Sequence, residues 1–253
     1  MDGCESGREP APLSGRVHSV DSFASADGPG VRFIIFLQGC ALRCRYCHNA
    51  DTWRMEGGTL RSSDDLLSQA LRYRAYWGEG GGITVSGGEP LLQMAFVTDL
   101  FRRAKAAGVH TALDTAGQPF TREEPFLSGF RALMEVTDLV LLDIKHIDSD
   151  AHRVLTGRGN ENILDLARYL DEIGKPVWIR HVLVPQYTDD DAALAHLGEF
   201  LSTLHNVERI EVLPYHTLGA FKWKALGLDY PLAGISPPTP ERIANAERLL
   251  GIR

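Results

Sequence analysis

An α/β fold, a partial (β/α)6 barrel open on one side, is what this sequence predicts. Three observations predict it. Six short β-branched runs alternate with six longer amphipathic ones, no Pro/Ser-rich linker divides the chain, and 253 residues suffice for one sizeable core. Strict alternation implies parallel strands joined by right-handed crossovers, and helices kept to one side curl such a sheet toward a barrel. A doubly wound open sheet is the alternative.

Residues 1–13 are rich in Gly, Pro and charge and bury little, so they read as a disordered extension ahead of a single domain over 14–253. The pattern then predicts strands over 32–37, 83–85, 109–113, 139–142, 177–184 and 209–213. It predicts helices over 64–76, 91–107, 122–135, 163–173, 190–204 and 241–250. Local punctuation agrees with the period. Ser62 and Asp65 form a capping pattern, Pro90 and Pro240 suit a first helical turn, and Gly108, Gly174 and Gly251 fall where helices should stop.

A net charge of −7 argues against a nucleic-acid or anionic-membrane partner, because either favours a basic face. No apolar run approaches the roughly 20 residues of a membrane helix, and the first residues are too polar for a signal sequence. The expected compartment is the cytoplasm, where thiols stay reduced and clustered cysteines read as metal ligands.

Such a cluster follows the first predicted strand: Cys40, Cys44 and Cys47, at C-x3-C-x2-C spacing. Three thiolates on one loop can wrap a soft metal centre and leave one iron of a four-iron cluster free for a small molecule. Spacing leaves other possibilities open. Cys4 or His48 could complete a zinc set, and Cys44 to His48 matches C-x-x-C-H, the attachment pattern of c-type haem. A disulfide within so short a loop has poor geometry and leaves an odd thiol.

In barrels of this kind, chemistry gathers at the C-terminal strand ends. There the chain offers Ser86-Gly87-Gly88-Glu89-Pro90, then Asp114-Thr115, Asp143 and Lys145, Arg180, and Tyr215-His216. Glycines at 87 and 88 permit close backbone approach to a ligand, and Glu89 could accept from an ammonium group or simply favour a helix start. Asp114, Thr115 and Asp143 form an oxygen-rich set suited to a hard cation, or else a group of capping and ion-paired carboxylates. Lys145 reads equally as a solvated charge or a cation of a binding site, and Arg180 equally as the counter-ion of a carboxylate or a second such cation. The turn Asp27-Gly28-Pro29-Gly30 and the stretch Ala220–Lys224, with Phe221 and Trp223 between lysines, read as partner contacts or ordinary packing.

The cysteine loop, with aromatic Tyr46 before its third cysteine, resembles the cluster motif of radical S-adenosylmethionine (radical SAM) enzymes. The likeness widens through Gly15-Arg16-Val17-His18-Ser19, Asp27 to Arg32, Tyr46 to Trp53, and Leu213 to Trp223. Over most of the chain it is a resemblance to the pyruvate formate-lyase-activating family.

That resemblance carries its own expectations, beginning with a partial barrel and a 4Fe-4S cluster on Cys40, Cys44 and Cys47. It implies S-adenosylmethionine (SAM) beside Tyr46, Cys47, His48, Gly88, Asp143, Ile144 and Lys145. It further implies Arg180 near the methionine carboxylate and His216 near the nucleoside. A monovalent cation is implied at Asp114, Thr115 and Asp143, with a carbonyl from Leu141, although Ala116 stands where the family often has Asn. The implied partners are pyruvate formate-lyase, a glycyl radical enzyme, and a flavodoxin or ferredoxin electron donor; the implied activator is a monomer.

Overall fold

The computed structural model describes residues 11–252 of the protein. Its strands are β1 (Ser14–Ala24), β2 (Arg32–Leu37), β3 (Thr59–Ser62), β4 (Gly82–Gly87), β5 (His110–Thr115), β6 (Leu139–Asp143), β7 (Val177–Leu183) and β8 (Val207–Pro214). They form one sheet in the order β3-β1-β2-β4-β5-β6-β7-β8. From β2 to β8 every pairing is parallel, so the six expected strands all form and adjoin as expected. Its outer strands, β3 and β8, do not pair, and the barrel stays open.

β1 and β3 extend the sheet beyond the six expected strands and run antiparallel: β1 against β2, and β3 against β1. Their sequences hide them. β1 carries few apolar residues, and of those only Val17 is fully buried, so period-two alternation is faint. A close approach also marks it: a Cβ on Gly15 would lie 2.4 Å from the Phe96 ring.

The helices are α1 (Ser63–Leu71), α2 (Met94–Ala106), α3 (Phe126–Glu135), α4 (Ser149–Thr156), α5 (Glu161–Glu172), α6 (Asp191–Ser202), α7 (Ala220–Ala225) and α8 (Pro240–Leu249). α4 and α7 are additions to the expected six. Both are too short to show a clear 3.6-residue period. The first expected helix ends early, at Leu71, and resumes as a 3-10 turn over Arg74–Tyr76. Ser62 caps α1 as its sequence suggests, its hydroxyl accepting from the Asp65 N–H at 3.2 Å.

The main core fills the layer between sheet and helices, where Ile83, Val85, Leu100, Phe101, Leu113 and Leu142 are wholly buried. Each such side chain contributes on the order of 1.5–3 kcal/mol by leaving water. A smaller cluster, Ala112, Leu139 and Leu141 against Trp178, is packed separately. Arg32 is also wholly buried; its guanidinium donates to Thr84, Ile83 and Gly80 and meets His110, so this charge is matched by fixed acceptors.

Residues 1–10 of the expected extension, with Cys4, lie outside the described residues. Leu13, at its end, is tied down: its N–H donates to Asp99 and its carbonyl accepts from Ser63. No helix among the described residues is long and apolar enough to cross a membrane.

Candidate active site

The strand β2 ends in a run that cannot continue a ladder. Gly39 has φ +100°, a conformation that favours glycine, and the chain turns there into the cysteine loop. Two layers of backbone bonds hold that loop. Gly39 N–H donates to Thr52, the Gly39 carbonyl accepts from Glu89 at 2.8 Å, and Gln38 donates from its side chain to Asp51 and Arg54. Farther along, Arg43 and Arg45 donate from their backbone N–H groups to Thr156 and Leu155 at the end of α4, at 2.7 and 3.0 Å. These are orphan carbonyls of a helix C-terminus, so one set of bonds satisfies the helix and fixes the loop.

Cys40 and Cys44 are buried and Cys47 partly so. Burial pushes the Cys40 and Cys44 thiols up to about 12 and raises Cys47 as well. Without metal charge the three would stay protonated, and a bound cation would release those protons. All three line one cavity of about 420 Å³. The donors are soft, lie on one loop and are free of disulfides, which fits a four-iron cluster. Among the described residues no group of three or more His, Cys, Asp or Glu side chains is arranged to hold a single metal ion. His48, the fourth zinc ligand weighed from spacing, instead places Nε2 3.1 Å from the His216 carbonyl.

The same cavity gathers Tyr46, His48, Gly88, Asp114, Thr115, Asp143, Lys145, Arg180 and His216. Every residue named from the strand ends as a cluster, SAM or cation contact is therefore at one site, except Leu141, which is buried in the small cluster with Ala112 and Leu139, and Ile144. Ile144 does not line it; the side chain is wholly buried in the core, while its N–H donates to Arg180 and its carbonyl meets His181.

Gly88 shows why glycine is needed beside the loop. A Cβ there would lie 2.1 Å from the Gly39 carbonyl oxygen, so any side chain would push the cysteine loop away. Glu89 turns inward, away from the cavity. It accepts from Leu91, Ala116 and Thr115, the last at 2.5 Å, and burial pushes its carboxyl up to about 7 despite those bonds. Of the two readings open for Glu89, the helix-start role is the one present.

Charge in the cavity is paired but not saturated. Lys145 Nζ sits 2.8 Å from Asp143 and 5.7 Å from the Tyr46 ring centre. Burial alone would raise Asp143, yet Lys145 and Arg180 hold it below the usual carboxylate range. Arg180 Nη1 lies 3.2 Å from Asp114 and 3.3 Å from Asp27. Burial drives Asp114 up despite that guanidinium. Ser86 donates to the same Asp114 oxygen at 2.6 Å, but Asp114 Oδ1 and Arg180 Nε are buried with no hydrogen-bond partner among the described residues. An unpaired acceptor and an unpaired donor on residues of one cavity wall are a site prepared for a polar ligand.

The His48 and His216 rings lie 4.2 Å apart at 31°, giving the cavity an aromatic face. Behind it, α7 proves to be support. Trp223 donates to the Cys47 carbonyl at 2.9 Å and packs edge-on against Trp53, while Lys222 reaches Asn49 and Asp51. Phe221 remains exposed.

Asp27 is the participant that strand-end reasoning missed. It comes from the turn before β2, and its carbonyl accepts from Thr84 while Thr84 accepts from Arg32. The sequence signal was the Asp-Gly-Pro-Gly turn followed by an arginine with no exposed role.

Comparison with known proteins gives the same direction. The radical SAM superfamily model matches residues 34–198. The chain is 55% identical to a pyruvate formate-lyase-activating enzyme of Streptococcus mutans over 94% of its own length and 91% of the relative's. It is 52% identical to one from Listeria monocytogenes, covering 93% and 96%. A crystal structure of a domain of such an enzyme from Bacteroides vulgatus aligns with TM-score 0.56 and 29% identity over 68% of this chain and 93% of that one. A radical SAM methyltransferase from Sphaerobacter thermophilus, 19% identical, shares the fold with TM-score 0.59 over 87% of this chain and 63% of its own. With the three thiols and the barrel mouth assembled as described, the chain belongs to the radical SAM superfamily and, within it, to the pyruvate formate-lyase-activating enzyme family.

Proposed function

We propose that the protein cleaves SAM reductively and uses the resulting radical to take the α-hydrogen from one glycine of pyruvate formate-lyase. The observation that carries this reading is the single cavity in which three thiols face an unpaired Arg180 N–H, an unpaired Asp114 oxygen and a histidine pair. When bound by Cys40, Cys44 and Cys47, a four-iron cluster would supply the electron that breaks the sulfonium carbon–sulfur bond, giving methionine and a 5′-deoxyadenosyl radical.

The protein's own side chains do the rest. Arg180 offers its free N–H to the methionine carboxylate, and Gly88 leaves the backbone bare where the amino end approaches. His48 and His216 hold the nucleoside by their ring faces, and Lys145 and Asp143 orient it from beneath. The close approach of Gly88 to the Gly39 carbonyl and the Trp53–Trp223 pair keep the wall closed to water, which would otherwise consume the radical. The open side of the barrel admits a glycine presented on a partner's loop. An external electron carrier, flavodoxin or ferredoxin, supplies the electron, and the activator works as a cytoplasmic, single-domain monomer.

A monovalent cation beside Asp114, Thr115 and Asp143 belongs to the same proposal and rests on the unpaired Asp114 oxygen. Asp114→Asn and Asp143→Asn are each expected to weaken SAM binding by roughly tenfold while leaving cluster content intact, because a charge-assisted contact contributes about 1.5–3 kcal/mol. Isothermal titration with SAM in sodium and in potassium buffer checks this. Unchanged affinity in both variants and both salts would rule out the cation site.

The activity itself is tested anaerobically with reduced protein, SAM and pyruvate formate-lyase. A glycyl radical signal in the electron paramagnetic resonance spectrum, with one 5′-deoxyadenosine formed per radical, is the expected result. 5′-Deoxyadenosine without any glycyl signal on an intact partner would remove pyruvate formate-lyase as the target.

A further inference from the structure

The last strand of the parallel run lacks the cover its neighbours have. β2, β4, β5, β6 and β7 each hold at least four buried residues, and β8 holds none, although Val207, Ile210, Val212 and Leu213 lie on it. Parallel strands are ordinarily covered on both faces. The opposite edge of the sheet, β3, has four residues and runs antiparallel to β1, a short edge of the kind proteins leave free without harm. β8 has eight residues and pairs on one side alone. Tyr215 N–H donates to Leu183 at 3.1 Å, so by alternation the N–H and C=O groups of Ile210 and Val212 point away from β7, and no hydrogen bond among the described residues takes them. Pro214, with no N–H to leave unpaired, falls on the same outward register.

A groove of about 660 Å³ runs along this edge, walled by Val207 to Leu213 and by Glu247, Gly251 and Ile252 at the end of α8. Leu213 also lines the catalytic cavity, so groove and site adjoin. The groove's charge is one-sided. Arg209 is already engaged, with Nε 3.0 Å from Glu211 and its guanidinium 4.7 Å from the Trp178 ring centre. Glu208 and Glu247 make no ion pair among the described residues. Glu211 is 14% exposed, and its second carboxylate oxygen, Oε2, is buried without a hydrogen-bond partner. An unpaired strand edge, an unpaired buried acceptor and surplus negative charge in one groove fit an extended, basic polypeptide.

We propose that the β8 edge binds the partner's segment next to the target glycine as an added strand, with a lysine or arginine of that segment set on the glutamates. The inference rests on the function proposed above, in which the substrate is a glycine of a protein, and adds how that polypeptide is held. From Val207 to Leu213 the edge measures roughly 20 Å at about 3.3 Å per residue, room for a strand of about six residues. Main-chain bonds to Ile210 and Val212 give affinity without regard to sequence, and the glutamates select the charge. Because Leu213 belongs to both groove and cavity, a chain leaving the edge there enters the catalytic site. The added strand also covers the open side of the barrel, where water would otherwise reach the radical.

The test uses the reconstituted protein, SAM, dithionite and intact pyruvate formate-lyase, with glycyl radical formation followed across partner concentrations at low and high salt. Val212→Pro removes an N–H that the fold does not use and leaves the pairing with β7 in place. Glu208→Lys/Glu247→Lys reverses the groove's charge, and neither residue lines the cavity. Each variant should raise KM for pyruvate formate-lyase about tenfold or more while kcat stays within about twofold and SAM affinity is unchanged. Wild-type KM should rise with salt. Glu123→Lys/Glu135→Lys, the same charge change on and just before α3, should behave as wild type. Urea unfolding reports whether each variant is folded, and if proline unfolds the strand the charge variant decides alone. An unchanged KM in either folded variant, an equal rise in the α3 variant, or a wild-type dimer that Val212→Pro converts to monomer would overturn the docking edge. Absence of any glycyl radical with the wild-type protein would instead overturn the function, and the docking edge with it.

Discussion

A Cys44→Ala protein reconstituted with iron and sulfide under anaerobic conditions is expected to hold no stable four-iron cluster, and Cys40→Ala and Cys47→Ala should behave alike. Each replacement leaves one iron without a protein ligand, and a three-thiol site has none in reserve. The geometry separates loss of a ligand from loss of the fold. The loop around Cys44 is held by backbone bonds from Arg43 and Arg45 to α4, and these survive truncation of the thiol. Because burial keeps Cys44 protonated until metal binds, alanine in its place even removes a desolvated polar group from the metal-free protein. The metal-free variant should therefore unfold within about 1 kcal/mol of the metal-free parent. Iron and sulfide analysis with visible absorption reads the cluster, and denaturant unfolding reads the fold. Cys4→Ala is the control and should keep the full cluster. A full cluster in Cys44→Ala, or its loss in Cys4→Ala, would sink the assignment.

The parts of this molecule that were legible in its sequence share one property: a residue type whose chemistry is costly anywhere else. Three cysteines within eight residues of one loop left few readings, and the parallel strands announced themselves by β-branched runs such as Phe33 to Phe36. The less visible parts depend on partners distant in sequence. β1 and β3 are half-exposed strands, stabilised by pairing more than by burial of a face. Asp27 enters the site from before β2, at the opposite end of the strand from where barrel chemistry is sought, because the buried Arg32 and Thr84 hold its turn. Glu89 and Ile144 illustrate the reverse. Both adjoin cavity residues in sequence, yet each side chain points into the core, a matter of strand register that a motif does not encode.

Replacement of Arg180 should do the most damage to stability of any single change in the barrel mouth. Arg180 lies between Asp114 and Asp27, is only 13% exposed, and also faces Asp143 across the β6–β7 register. Arg180→Leu leaves these carboxylates around an apolar side chain, and removing one partner from a buried ion pair costs about 3–5 kcal/mol. The sign of the pH dependence follows from Asp114. Burial already raises its folded-state pKa above the ordinary carboxylate value, and losing the guanidinium raises it further. The folded state then binds a proton that the unfolded state has released, so stability falls as pH rises from the ordinary carboxylate pKa up to the raised one. The deficit should be small near about pH 4 and largest at neutral pH. Urea unfolding of the metal-free protein across that range measures it. Asp114→Asn added to Arg180→Leu should recover about 1–3 kcal/mol at neutral pH, since it removes the stranded charge and keeps the shape. A double variant no more stable than Arg180→Leu, or a deficit flat with pH, would show that Arg180 acts through packing and not through the carboxylates it bridges.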